Sequence, residues 1–170
     1  MTGPVMDAAS VRESRRPIET VLLATDLSSA SDDATAWAIQ TAAAFRARLL
    51  VVNVLEHRRL NGFGSHDRED QARAERESVL EDLVSRARTG GARCEYILWS
   101  GEPSSSIVSV AEAERADLIV VGTHGRARAG RLFLGSVSDH LVRSAPCPVM
   151  IVRPEADLRH SSTDQGAELR

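Results

Sequence analysis

The densest chemistry in the sequence is one stretch: Gly122-Thr123-His124-Gly125, then nine residues, then Gly135-Ser136. Glycine admits positive φ and lets a ligand come close to the backbone. A helix starting near Ser136 would present amides that lack internal partners, and its dipole favours an anion such as phosphate. The Ser136 hydroxyl could cap that helix or bond a phosphate oxygen. Arg126, Arg128 and Arg131 fall in the intervening loop and could neutralise phosphate charge. The plainer reading gives these glycines only turns. The full spacing, set between an apolar run and a helical segment, favours the ligand. Across the same crevice, Asp26 follows the first apolar run. Its carboxylate could accept from a ribose hydroxyl or an adenine amine; otherwise it caps the helix near Ser31 or holds the turn at Ser28. Val54 offers a base an apolar contact or backbone groups, unless it is plain core.

Other chemistry is sparse. All 21 basic residues are arginine. That excludes a Walker-type phosphate lysine, a Schiff base and a lysine general base. No acidic cluster resembles a two-metal site, so no catalytic residue is assigned and a protein-held metal is not expected. His124 sits in the phosphate loop, where it is a polar turn residue or a contact for a terminal phosphate. His57 and His66 flank a glycine-containing loop and His140 follows Asp139; none has metal-ligand spacing. Cys94 and Cys147 are far apart and match no ligand pattern, which suits a reducing compartment.

Position must come from the elements around these residues. Five apolar runs stand out: Val21 to Ala24, Leu49 to Val54, Glu95 to Trp99, Leu118 to Val121 and Val149 to Val152. All but the third are continuous rather than alternating, as in parallel strands covered on both faces. Helical segments separate them: Ser31 to Arg46, His66 to Thr89, Pro103 to Arg115 and Ser136 to Ser144. Gly90-Gly91 ends the second, and Pro146 and Pro148 prevent continuation of the last. The span Arg58 to Ser65 reads as a mobile loop. Alternation of this kind, with right-handed crossovers, predicts an open, doubly wound α/β sheet. Ligands bind such sheets outside the carboxyl ends of the strands.

The 170 residues suit one domain. Polar tails are expected at residues 1–17 and 155–170, leaving 18–154 as the folded unit. A net charge of −3 and 4% aromatic residues argue against nucleic acid as partner. No run of about 18 apolar residues exists to span a membrane, and Met1 to Arg16 lacks a signal-peptide core. A cytoplasmic location is therefore expected.

The run Val120 through Arg126, with Leu134-Gly135-Ser136-Val137-Ser138, resembles the nucleotide-binding signature of the universal stress protein family, G-x2-G-x9-G-[ST]. Ala24-Thr25-Asp26-Leu27-Ser28 and Ala145-Pro146-Cys147-Pro148-Val149 add to the likeness, which covers roughly Ile18 to Arg153. The resemblance implies a five-stranded parallel sheet of order 3-2-1-4-5. It implies ATP or a related adenine nucleotide as ligand, with magnesium or manganese held by the phosphates. Carried over, Ala24, Thr25 and Asp26 would meet the ribose or base and Val54 the adenine. Gly122, Thr123, His124, Gly125, Arg126, Gly135, Ser136, Val137 and Ser138 would surround the phosphates and ribose. Ala24 departs from the proline or valine often found there. The family is usually dimeric, and Val149 to Val152 would form an apolar sheet edge able to pair with a second copy. Three functions follow: a nucleotide-gated stress or signalling protein acting on an unidentified protein partner, a slow ATPase or autokinase, and a nucleotide-free interaction module. Glycine-lined sites recognise phosphates rather than their number, so ATP, AMP and a cyclic nucleotide stay open.

Overall fold

The computed structural model describes residues 17–56, 65–123 and 134–154. Five parallel strands form one sheet: β1 (Thr20–Ala24), β2 (Arg48–Leu55), β3 (Arg93–Ser100), β4 (Leu118–Gly122) and β5 (Val149–Val152). Their order is β3-β2-β1-β4-β5, the order that the family resemblance implies. Four helices connect them: α1 (Asp32–Phe45), α2 (Ser65–Thr89), α3 (Pro103–Ala113) and α4 (Ser136–Ser144).

The continuous apolar runs are explained by two cores, one on each face of the sheet. Val21, Leu23, Leu49, Val51 and Val120 pack under Ala34, Ala38 and Ala42 of α1 and Leu80, Leu83 and Val84 of α2. Leu22, Leu50, Val52, Ile119 and Val121 pack on the other face under Ile107, Val110 and Ala111 of α3 and Leu141 of α4. Small alanines let α1 approach the sheet closely. Residues of β1 and β4, and the middle of β2, therefore find apolar cover on both faces, which removes the alternation expected of a one-sided sheet.

Several boundaries move. The first helix stops at Phe45 rather than Arg46, and the third at Ala113 rather than Arg115. Arg46 (φ 56°) and Arg115 (φ 50°) both turn left-handed. Ala47 N then bonds Ala42 O at 2.8 Å, and Ala116 N bonds Ala111 O at 2.9 Å. Gly91 (φ 86°) and the Ala92 N to Ala87 O bond close α2 in the same way. This is Schellman-type closure. The sequence announces it by glycine at α2 only, because an arginine in left-handed conformation looks like any helix residue. The first helix also begins later than Ser31: Ser29–Ser31 form a 3-10 turn ahead of it. Strands β2 and β3 run longer than their apolar runs, since parallel pairing from Arg48↔Arg93 to Leu55↔Ser100 extends over polar residues. Ser65, expected in a loop, opens α2, and the rest of that loop lies outside the described residues.

Candidate functional site

A switch in direction builds the crevice. After β1 the chain crosses to the face covered by α1; after β4 it crosses to the face covered by α4. Strands β1 and β4 are neighbours, with Ala24 opposite Val121. In open α/β sheets a ligand crevice forms outside the carboxyl ends of neighbouring strands whose connections go to opposite faces. Thr25 N to Val52 O (3.1 Å) and Thr123 N to Val152 O (3.0 Å) carry the ladder one residue past each strand. The backbone at the strand ends is thus fixed.

On the β1 side, Thr25 is buried and its hydroxyl shares a 2.9 Å bond with Ser31 Oγ. Asp26 Oδ1 accepts from Ser28 N at 3.1 Å and from Ser28 Oγ at 2.7 Å. That is the Ser28 turn anticipated as the plainer role of Asp26. The bonds hold the carboxylate just past the carboxyl end of β1. Ala24 is buried at the end of β1, and Val54, half-buried, lies near the end of β2.

On the β4 side, Gly122 ends the strand and Thr123 is buried just beyond it. Gly135 N donates to Thr123 O at 2.8 Å, and buried Ser138 Oγ donates to Gly122 O at 2.7 Å. These two bonds seat the first turn of α4 directly over the end of β4. Gly135, not Ser136, is the cap residue, and a glycine has no side chain with which to bond the first amides. The hydroxyl-cap reading of Ser136 is thereby corrected: Ser136 is already helical and exposed, and Val137 is half-buried beside it. Asp139, in the same first turn, is paired with Arg143 at 2.8 Å. His124, Gly125 and Arg126, with Arg128 and Arg131, lie outside the described residues, as does His57.

The N-terminus of α3 is answered by the chain itself. Glu102 caps α3, accepting from Ser104 N at 3.0 Å and Ser105 N at 2.8 Å. The Ser105 and Ser104 amides hold its carboxyl down at about 2. Helix α1 carries Asp32 and Asp33 in its first turn, opposite in sign to its dipole. Helix α4 starts on Gly135, a cap residue without a side-chain acceptor; helix N-termini of this kind can receive an external anion.

Two side chains escaped the sequence reading. Asn53, 1% exposed, donates from Nδ2 to Thr25 O at 2.7 Å. Arg76, from the middle of α2, donates to Asn53 Oδ1 at 2.8 Å. An asparagine inside an apolar run was the available signal for the first. Nothing in the helical pattern marks Arg76. Among the described residues no group of three His, Cys, Asp or Glu could hold a metal ion, and no helix is long and apolar enough to cross a membrane.

A model of the universal stress protein family matches residues 17–153. A universal stress protein of Thermus aquaticus, from the QAH/OAS sulfhydrylase 3′ region, is 39% identical over 137 residues, covering 79% of this chain and 98% of that relative. Among solved structures, a universal stress protein in complex with cAMP is 32% identical with a TM-score of 0.62, covering 81% of this chain and 98% of its own. The universal stress protein of Archaeoglobus fulgidus in complex with dAMP is 26% identical with a TM-score of 0.60, covering 81% of this chain and 100% of its own.

Proposed function

This chain belongs to the universal stress protein family, and from that premise we propose that it is a nucleotide-binding member that uses ATP or a related adenine nucleotide to gate a stress or signalling role. The observation that carries the reading is the start of α4 at Gly135, without a side-chain cap, held over the end of β4 by Thr123 and Ser138. Phosphate would accept from the α4 amides. The Asp26 carboxylate, just past the end of β1, would accept from the ribose or from the base amine. Val54 would face the adenine. Gly122, Gly125, Gly135 and Ser136 complete the glycine signature in sequence, and related chains were solved with cAMP and with dAMP. With no described metal-ligand cluster, the proposal puts any divalent ion on the phosphates.

The test begins with the purified full chain. Denaturation and chromatography should release an adenine nucleotide, or the emptied protein should bind ATP or AMP at micromolar concentration in a calorimeter. A folded protein that releases none and binds none, with magnesium present, overturns the reading.

The same proposal includes a homodimer paired through β5. Strand β5 is a sheet edge, and Val149, Met150 and Ile151 are half-buried and apolar. The opposite edge strand, β3, exposes Arg93 and Glu95, charges that discourage pairing. Sedimentation showing only monomer at micromolar concentration would sink the dimer. The two cysteines are free, which is compatible with a reducing cytoplasm.

A further inference from the structure

Asn53 joins two backbone segments expected at the base, and it is nearly inaccessible to solvent. It lies on β2 immediately before Val54, and its amide nitrogen holds the carbonyl of Thr25, immediately before Asp26. Its amide oxygen is held in turn by the Arg76 guanidinium from α2, which also lies 3.5 Å from Val54 O. The partners fix the amide's orientation. A carbonyl at Thr25 needs the NH2 group, and a guanidinium needs the oxygen. Aspartate at 53 would set an oxygen against Thr25 O, and leucine could serve neither partner. The arrangement is therefore matched to asparagine and to a cation together. A part-buried, charge-assisted bond of this kind resists displacement.

We propose that Asn53 and Arg76 are positioning residues for base recognition: the pair sets the spacing between Asp26 and Val54, and so tunes the choice of base without touching the phosphate end. The proposal rests on the nucleotide-binding reading above. Phosphate affinity would come from α4, whose seat on β4 involves neither residue. Base selectivity would come from the β1–β2 side, where a small shift of Val54 against Asp26 misaligns a donor–acceptor pair.

The experiment uses the full chain with Arg76→Ala and Arg76→Lys, titrated calorimetrically with AMP and GMP, with thermal melts alongside. Wild type should prefer AMP. Arg76→Ala should lower the AMP-to-GMP affinity ratio about tenfold, mainly by weakening AMP. Arg76→Lys keeps a charged donor and should retain most of the ratio, which keeps the test informative if the alanine variant is poorly folded. Equal weakening of both nucleotides, an unchanged ratio in Arg76→Ala, or a wild type without base preference overturns the positioning role and leaves nucleotide binding intact. A folded wild type that binds neither nucleotide overturns both readings.

Discussion

The two ends of the sheet solve opposite problems. At the amino end, the chain uses its charges on itself. Asp117 Oδ2 accepts from Glu19 N at 2.8 Å and Thr20 N at 2.9 Å, fastening the start of β1 to residues nearly a hundred positions later. Arg48 reaches Glu95 at 2.6 Å and Glu114 at 2.8 Å, and Arg93 donates to Arg46 O at 2.9 Å. At the carboxyl end, the bonds come chiefly from hydroxyls and amides: Thr25 with Ser31, Ser28 with Asp26, Asn53 with Thr25, Ser138 with Gly122. They hold the backbone at the strand ends, while α4 begins on a glycine with no side-chain cap. The contrast separates stability from binding. One rim is closed by charge; the other is held by hydroxyl and amide bonds, and it is there that the proposed anion site would lie.

The largest expected effect breaks the carboxyl-end rim alone. Gly135→Val would place a branched side chain beside the α4 amides and should weaken AMP or ATP binding roughly 100-fold or more. The melting temperature should move little, because the Gly135 N to Thr123 O bond uses backbone only. Calorimetry and a thermal melt on the same sample separate the two. Retained affinity would place the phosphates elsewhere.

The converse change breaks the closed rim alone. Asp117→Ala leaves two backbone amides without their acceptor and should cost about 2 kcal/mol of stability in denaturant unfolding. Nucleotide affinity should stay within about twofold, since additivity holds for distant sites. If affinity fell in step with stability, the two rims would not be independent.

The smallest effect sharpens the account of why α4, and not α3, is proposed as the anion site. Glu102 has its carboxyl lowered from 4.5 to about 2 by the Ser105 and Ser104 amides. A depressed folded value means that the stabilisation is complete above the unfolded value and is lost as pH falls through the folded one. Wild type should therefore exceed Glu102→Gln in stability at neutral pH, by a few tenths of a kcal/mol once solvent screening of this exposed group is counted. The margin should shrink between about pH 4.5 and about pH 2. A margin independent of pH across that window would show that the ionisation of Glu102 adds nothing to the cap of α3.

Much of the fold was legible because burial writes itself into composition. Continuous apolar runs at β1, β2, β4 and β5 demand cover on two faces, and helical segments of the right number lie between them. Helix ends were less legible. Arg46 and Arg115 adopt a conformation usually reserved for glycine, and only the bonds from Ala47 and Ala116 reveal it. At the candidate site, the motif named Gly122, Gly135, Ser136 and Ser138. It did not show that Ser138 struts the β4 end while Ser136 points to solvent, because spacing along a helix does not say which residue meets the strand. Asn53 was visible as a polar residue in an apolar strand, yet its partners were not, since Thr25 and Arg76 lie 28 and 23 positions away.

The sequence by itself determined the alternation of strand and helix, the two-sided burial and the glycine spacing, since these depend on local preference and on how much apolar surface each segment must hide. The tertiary structure alone decided which polar groups meet: Asp117 with the start of β1, Arg48 with two carboxylates, Arg76 with Asn53. Directional bonds between distant segments depend on sheet register and on which face each helix covers, and one residue of slip would send every such side chain to the other face.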